Sequence, residues 1–157
     1  MILKRLALGA CAIAMLAGSA EARVVKLRIE HREAVLNGKA FGRAGPYEKL
    51  VGKVDFALDP KAAINQKIVD LSLAPRNAKG DVEFSADFFL LKPVDAARGN
   101  GRLFDEVGNR GGKAMLPVFQ KAKASKDPAT AEEFGDGALM NQGYTLLWMG
   151  WQWDVPK

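Results

Sequence analysis

The sequence predicts an α/β fold: a β-rich N-terminal half leading into a βαβ unit. Two observations carry the prediction. Val82, Phe84, Ala86, Phe88 and Leu90 alternate with their neighbours, the period of a strand with one apolar face. Further on, "YTLLWMG" at residues 144–150 is continuously apolar, as a strand buried on both faces would be in a parallel sheet with helices on either side.

The elements follow in chain order. Residues 1–22, "MILKRLALGACAIAMLAGSAEA", have Lys4 and Arg5, an apolar run from Leu6 to Ala17, and an A-x-A site at Ala20-Glu21-Ala22. This is the layout of a secretory signal peptide, with cleavage expected between Ala22 and Arg23. The run is shorter than the about 20 apolar residues of a comfortable membrane span. A buried N-terminal helix is the plain alternative. Leu8-Gly9-Ala10-Cys11 also has the form of a lipidation box, although the apolar stretch before it is very short. The reading with a cleaved leader places the protein outside the cytoplasm, periplasmic or secreted, with no stable membrane anchor.

Cleavage would remove Cys11, the one cysteine of the 157 residues, and with it disulfides, thiolate metal sites and cysteine nucleophiles. It would also remove Lys4, Arg5 and Glu21, taking the net charge from +5 to +4. That excess is spread along the chain and reads as solvation rather than as a nucleic-acid footprint.

Residues 23–100 form the β-rich portion. Val25, Leu27 and Ile29 alternate with Lys26, Arg28 and Glu30, predicting a strand with one wet face. "NGKAFGRAGPYEKL" reads as a glycine-rich loop, and a strand is expected from Leu50 to Leu58, stopped by Asp59-Pro60. Ile68, Val69 and Leu71 suggest a short strand ended by Pro75, and the alternating strand from Val82 is stopped by Pro93.

Residues 101–157 change character. A strand is expected from Leu103 to Val107, then the turn Asn109-Arg110-Gly111-Gly112. Pro117 suits the first turn of a helix carrying Val118, Phe119 and Ala122. Asp136 is an N-cap candidate for a short helix through Gln142, Gly143 suits the position just past its end, and the apolar strand follows at once. Strand, glycine turn, helix, glycine, strand is a βαβ unit.

Ligands of such units sit at the carboxyl ends of the strands, where Asn109 to Gly112 lie. Three readings of that loop stand side by side. It is an ordinary turn, since glycine pairs are common turn residues. It cradles a phosphate, although neither G-x-x-x-x-G-K-[ST] nor G-x-G-x-x-G is present. Or its N–H groups face a developing oxyanion, which glycine's small size and wide φ/ψ range permit. In "WMGWQWD", Trp148, Trp151 and Trp153 read either as core packing or, with Trp151, Gln152 and Asp154 at the strand's carboxyl end, as a pocket wall.

The single histidine, His31, is flanked by Glu30 and Arg32 and reads as a surface residue. One histidine and no mature cysteine make a metal site unlikely in the pattern, and no cofactor motif is present. Asp105/Glu106 and Glu132/Glu133 are adjacent in sequence, so their side chains point apart. There is no G-x-S-x-G, and Ser72, Ser85 and Ser125 lack the strand–elbow–helix context of a nucleophile.

"FGRAGPYEKLVGKVDFALDP", "IVDLSLAPRNAKGDVEFSADFFLLKPVD", "NRGGKAMLPVF" and "FGDGALMNQGYTLLWMGWQWDVP" together resemble the N-terminal part of a bacterial family of exported α/β-hydrolase-domain proteins. The resemblance covers essentially the whole mature chain. It implies an esterase-like serine hydrolase acting on a small ester or amide, with the hydrolase core and the nucleophile beyond the "GW-Q" strand. The sheet is then an α/β-hydrolase-type sheet incomplete at the C-terminus, with an open edge after Tyr144–Gly150, and the chain alone is inactive. Carried over onto this chain are the oxyanion loop, Asn109 to Gly112, and the pocket wall at Trp151 and Gln152. The alternatives are a complete, non-catalytic exported β-rich binding module and a small lipoprotein anchored through Cys11.

Overall fold

The computed structural model describes residues 22–152, so the proposed leader, Trp153 and Asp154 lie outside the described residues. Six strands form one mixed sheet: β1 (Arg23–Ala34), β2 (Ala40–Phe41), β3 (Gly45–Leu58), β4 (Val82–Pro93), β5 (Leu103–Glu106) and β6 (Thr145–Met149). The order across it is β1-β3-β4-β6-β5, with the short β2 beside the start of β3. Neighbours are antiparallel except β5 and β6, which run parallel with Leu103 opposite Thr145 and Glu106 opposite Trp148. Three short helices, α1 (Met115–Gln120), α2 (Ala131–Phe134) and α3 (Ala138–Asn141), make the crossover that a parallel pair requires.

Strand alternation divides the apolar residues between two sheet faces. Tyr47, Phe89, Leu91, Leu146 and Trp148 point one way, and Met115, Leu116, Phe134 and Met140 of the helices pack on them in the main core. Leu50, Val54 and Phe88 point the other way, joined by Phe56, Leu90, Leu147 and Met149; every member of this second cluster is a strand residue. The expectation of a parallel sheet with helices on both faces is therefore corrected. The helices gather on one face, because the β5–β6 crossover is the only connection that carries them.

Two further expectations change. Strand β6 is not an edge: it lies between β4 and β5, so the edges are β1 and β5. Its uninterrupted apolar run is explained by its faces: Leu146 and Trp148 join the main core and Leu147 the second cluster. No strand forms at Ile68–Leu71. Single turns of 3₁₀-helix occupy Asn65–Lys67 and Leu71–Leu73, and Asp70 has φ +59°, which no strand tolerates.

Strand β1 also departs from its simple alternation. The register slips between Val24 and Lys26 and again between Ile29 and His31. These β-bulges put Val24, not Val25, on the side of Leu27 and Ile29, and all four apolar residues remain exposed. Gly52 pairs with Ile29 beside the second bulge, and a Cβ there would lie 1.9 Å from the Arg28 carbonyl oxygen.

The helix signals fare unevenly. Pro117 does lie in the first turn of α1, but Met115, Leu116 and Gln120 are buried while Val118 and Phe119 face out. The Asp136 carboxylate accepts the Ala138 N–H at 3.0 Å, and Gly143, with φ +82°, follows α3 as expected. Tyr47, fully buried, ties α3 to the sheet: its hydroxyl lies 3.0 Å from the Met140 carbonyl and 2.9 Å from that of Tyr144. Burial pushes its pKa above the ordinary tyrosine value.

Candidate functional site

The loop between β5 and α1, residues 107–114, starts at the carboxyl end of the parallel pair. Glu106 at the end of β5 fixes it. Its carboxylate accepts the N–H groups of Ala114 at 2.9 Å and Met115 at 2.8 Å, and the indole N–H of Trp148 at 2.6 Å. One side chain thus joins the end of β5, the start of α1 and the middle of the sheet. Its neighbour Asp105 is exposed on the opposite face, as adjacent strand residues must be.

Inside the loop, Gly112 N–H donates to the Asn109 carbonyl at 3.0 Å, and φ is +49° at Arg110 and +74° at Gly111. Two positive φ values at the central residues are the signature of a type I′ turn. Glycine meets this demand without cost; Arg110 meets it as an L-residue held in a sparsely populated region. A third glycine, Gly108, closes the loop: a Cβ there would come within 2.7 Å of the Gly112 carbonyl oxygen, so a side chain at 108 would open it.

Two residues after β6 hold the loop from the other side. The Gln152 side-chain oxygen accepts the Arg110 N–H at 2.6 Å, and the Trp151 indole N–H donates to the Gly108 carbonyl at 2.6 Å. The structure thus brings together two features read separately in the sequence, the Asn109–Gly112 loop and the Trp151–Gln152 pair. It separates Trp148 from Trp151. Trp148 is buried in the core against Phe89, while Trp151 is 60 % exposed and lies across the loop.

Of the two glycine N–H groups, Gly112's is consumed within the turn. Gly111's has no acceptor among the described residues, and a Cβ at Gly111 would meet nothing within 4 Å. Gly111 itself is exposed.

Lys113, which carried no signal beyond following the glycines, lies directly behind the turn. Its ammonium stands 4.3 Å from the Phe89 ring centroid and 5.9 Å from that of Trp148, and donates to the Lys126 carbonyl. Burial lowers its pKa below the ordinary lysine value, with Asp127 and Glu106 opposing the shift. Lys49, on the far side of Phe89, is 4 % exposed and ion-pairs with Glu33 and with Asp127 at 2.9 Å. Burial works to lower its pKa too, but these two carboxylates outweigh it and raise it.

Among the described residues, no nucleophile–base pair meets the loop. His31 is exposed on β1, its Nε2 2.9 Å from Glu33. Ser125 serves its own turn by accepting the Asp127 N–H, and Ser72 and Ser85 are exposed on a 3₁₀ turn and on β4. Among the described residues, no three His, Cys, Asp or Glu side chains converge as metal ligands. Two open surface clefts lie elsewhere, one around Lys121–Lys123 and Gly135, the other between the start of β1 and residues 77–79. No helix among the described residues is long and apolar enough to cross a membrane. No family model, curated protein or solved structure matches the chain.

Proposed function

We propose that the chain is the N-terminal part of an exported, esterase-type α/β-hydrolase. In this reading it supplies the oxyanion side of the active site, while the nucleophile, acid and histidine lie outside these residues. The single observation that carries the reading is the N–H of the exposed Gly111, which has no acceptor among the described residues. It sits on a rigid turn between a strand and a helix, at the carboxyl end of a parallel pair. A strand–loop–helix junction of this kind gives one of the two donors to the oxyanion in α/β-hydrolases. A turn braced by Gln152, Trp151 and Glu106 is preorganised, the property that makes such a donor effective.

In chemical terms, the ester or amide carbonyl would lie with its oxygen toward Gly111. The N–H would strengthen its hydrogen bond as the oxygen gains charge in the tetrahedral intermediate, while attack comes from a serine supplied elsewhere. The chain alone would then bind but not turn over such a substrate.

The reading is tested in two steps. The genomic frame running on from Lys157 is expected to encode G-x-S-x-G, then an acid and a histidine; a frame without them sinks the proposal. In the protein so encoded, Gly111→Val should move the donor and lower kcat by about 10²- to 10³-fold, with a thermal melt confirming the fold. Unchanged kcat in a folded variant removes the oxyanion role. The alternative, a non-catalytic binding module, has its own observation: two open surface clefts lie away from the loop.

A further inference from the structure

Among the described residues, 59–81, joining β3 to β4, are the longest of the connections that contain neither strand nor α-helix. Connections longer than about 12–15 residues without secondary structure of their own are uncommon and usually functional or disordered. This one is ordered by its own bonds. The buried Asn65 side chain donates to the Asp59 carbonyl at 2.7 Å, and Leu73 N–H donates to Asp70 at 2.9 Å.

What the connection presents is apolar and cationic together. Val69 is 84 % exposed and Leu73 80 %, with Ile64 and Ile68 about half exposed. Lys61, Lys67, Arg76 and Lys79 flank them in sequence, against Asp59, Asp70 and Asp81 in the whole connection, of which Asp81 is already paired with Arg23. None of these four cations is ion-paired with a described carboxylate. Val25 at the start of β1, also exposed, adjoins Lys79 across a shallow cleft.

We propose that residues 61–80 are a reversible docking surface for an anionic lipid bilayer. Val69 and Leu73 would enter the boundary between headgroups and acyl chains, and the four cations would meet lipid phosphates. Apolar insertion and attraction to anionic headgroups reinforce each other in peripheral binding. The segment has no aromatic side chain on which a base could stack, so a nucleic acid would leave Val69 and Leu73 unused. Because the loop is already ordered, little conformational entropy is lost on docking. The proposal is independent of the hydrolase reading.

Co-sedimentation of the whole chain with phosphatidylglycerol–phosphatidylcholine vesicles, beside pure phosphatidylcholine vesicles, tests it. Preferential binding to the anionic vesicles, weakened by added salt, is expected. Val69→Asp with Leu73→Asp should weaken that binding at least about tenfold, and Lys67→Gln or Lys79→Gln about fivefold each. These side chains are exposed, so circular dichroism should be unchanged. A nitrobenzoxadiazole label on Val69→Cys, in a Cys11→Ser background, should shift to the blue on anionic vesicles. Equal binding to both vesicle types, undiminished binding of the double aspartate variant, or no blue shift overturns the proposal.

Discussion

At the scale of single residues, Glu106 decides more of the site than either glycine. It has three N–H donors within 3 Å, drawn from the loop, from α1 and from Trp148 on β6. Hydrogen bonds to a charged group contribute about 1.5–3 kcal/mol each, and donors left unpaired in a half-buried place add a cost of their own. Glu106→Ala should therefore destabilise the fold by about 2–4 kcal/mol, read from urea melts followed by tryptophan fluorescence. A loss under 1 kcal/mol would mean that Gln152 and Trp151 hold the loop unaided. None of this was legible in the sequence, where Glu106 is one half of an acidic pair. What was legible was the oddity of Asn109 to Gly112. The turn type accounts for one half of that oddity, because Gly111 takes the positive φ of the second central position without strain.

Elements were legible where the local pattern and the tertiary surroundings agree. The alternation from Val82 to Leu90 is β4, and the apolar run is β6, because the sheet contains both of them in its interior. Ile68–Leu71 had the composition of a strand but no neighbour to pair with, so short turns took its place. Helix α2 was missed although it carries a readable signal, Thr130 followed three residues later by Glu133. The Glu133 carboxylate accepts the N–H groups of Ala129 at 3.0 Å and Thr130 at 2.9 Å, and these bonds lower its pKa to about 2. A depressed carboxylate stabilises the fold fully above the ordinary value of 4.5 and loses that contribution as pH falls toward 2. The thermal midpoint should accordingly fall more steeply over that acid range in the native protein than in Glu133→Gln. Parallel curves for the two would show that the capping box contributes nothing to stability.

For the whole molecule, the placement of β6 between β4 and β5 could not be read from the chain. Periodicity reports which residues are covered, not which strands cover them. The placement makes β1 and β5 the two edges, and they are built differently. The β1 edge carries two bulges and the cations Lys26, Arg28 and Arg32, devices that discourage pairing between sheets. The β5 edge has no bulge, and Leu103, Val107, Val118 and Phe119 are all exposed around it. In its parallel ladder Arg102 accepts from Thr145 of β6, so the alternate residues Leu103, Asp105 and Val107 turn their backbone groups outward. Self-association at raised concentration should therefore run through β5. Val107→Lys places a charge at the end of that edge on a side chain that is 75 % exposed, and should reduce light scattering severalfold with the thermal midpoint unchanged. Lys26→Val on the other edge should leave scattering unchanged, because the bulges persist. If instead Lys26→Val raises scattering and Val107→Lys does nothing, β1 is the sticky edge, and its bulges do not protect it.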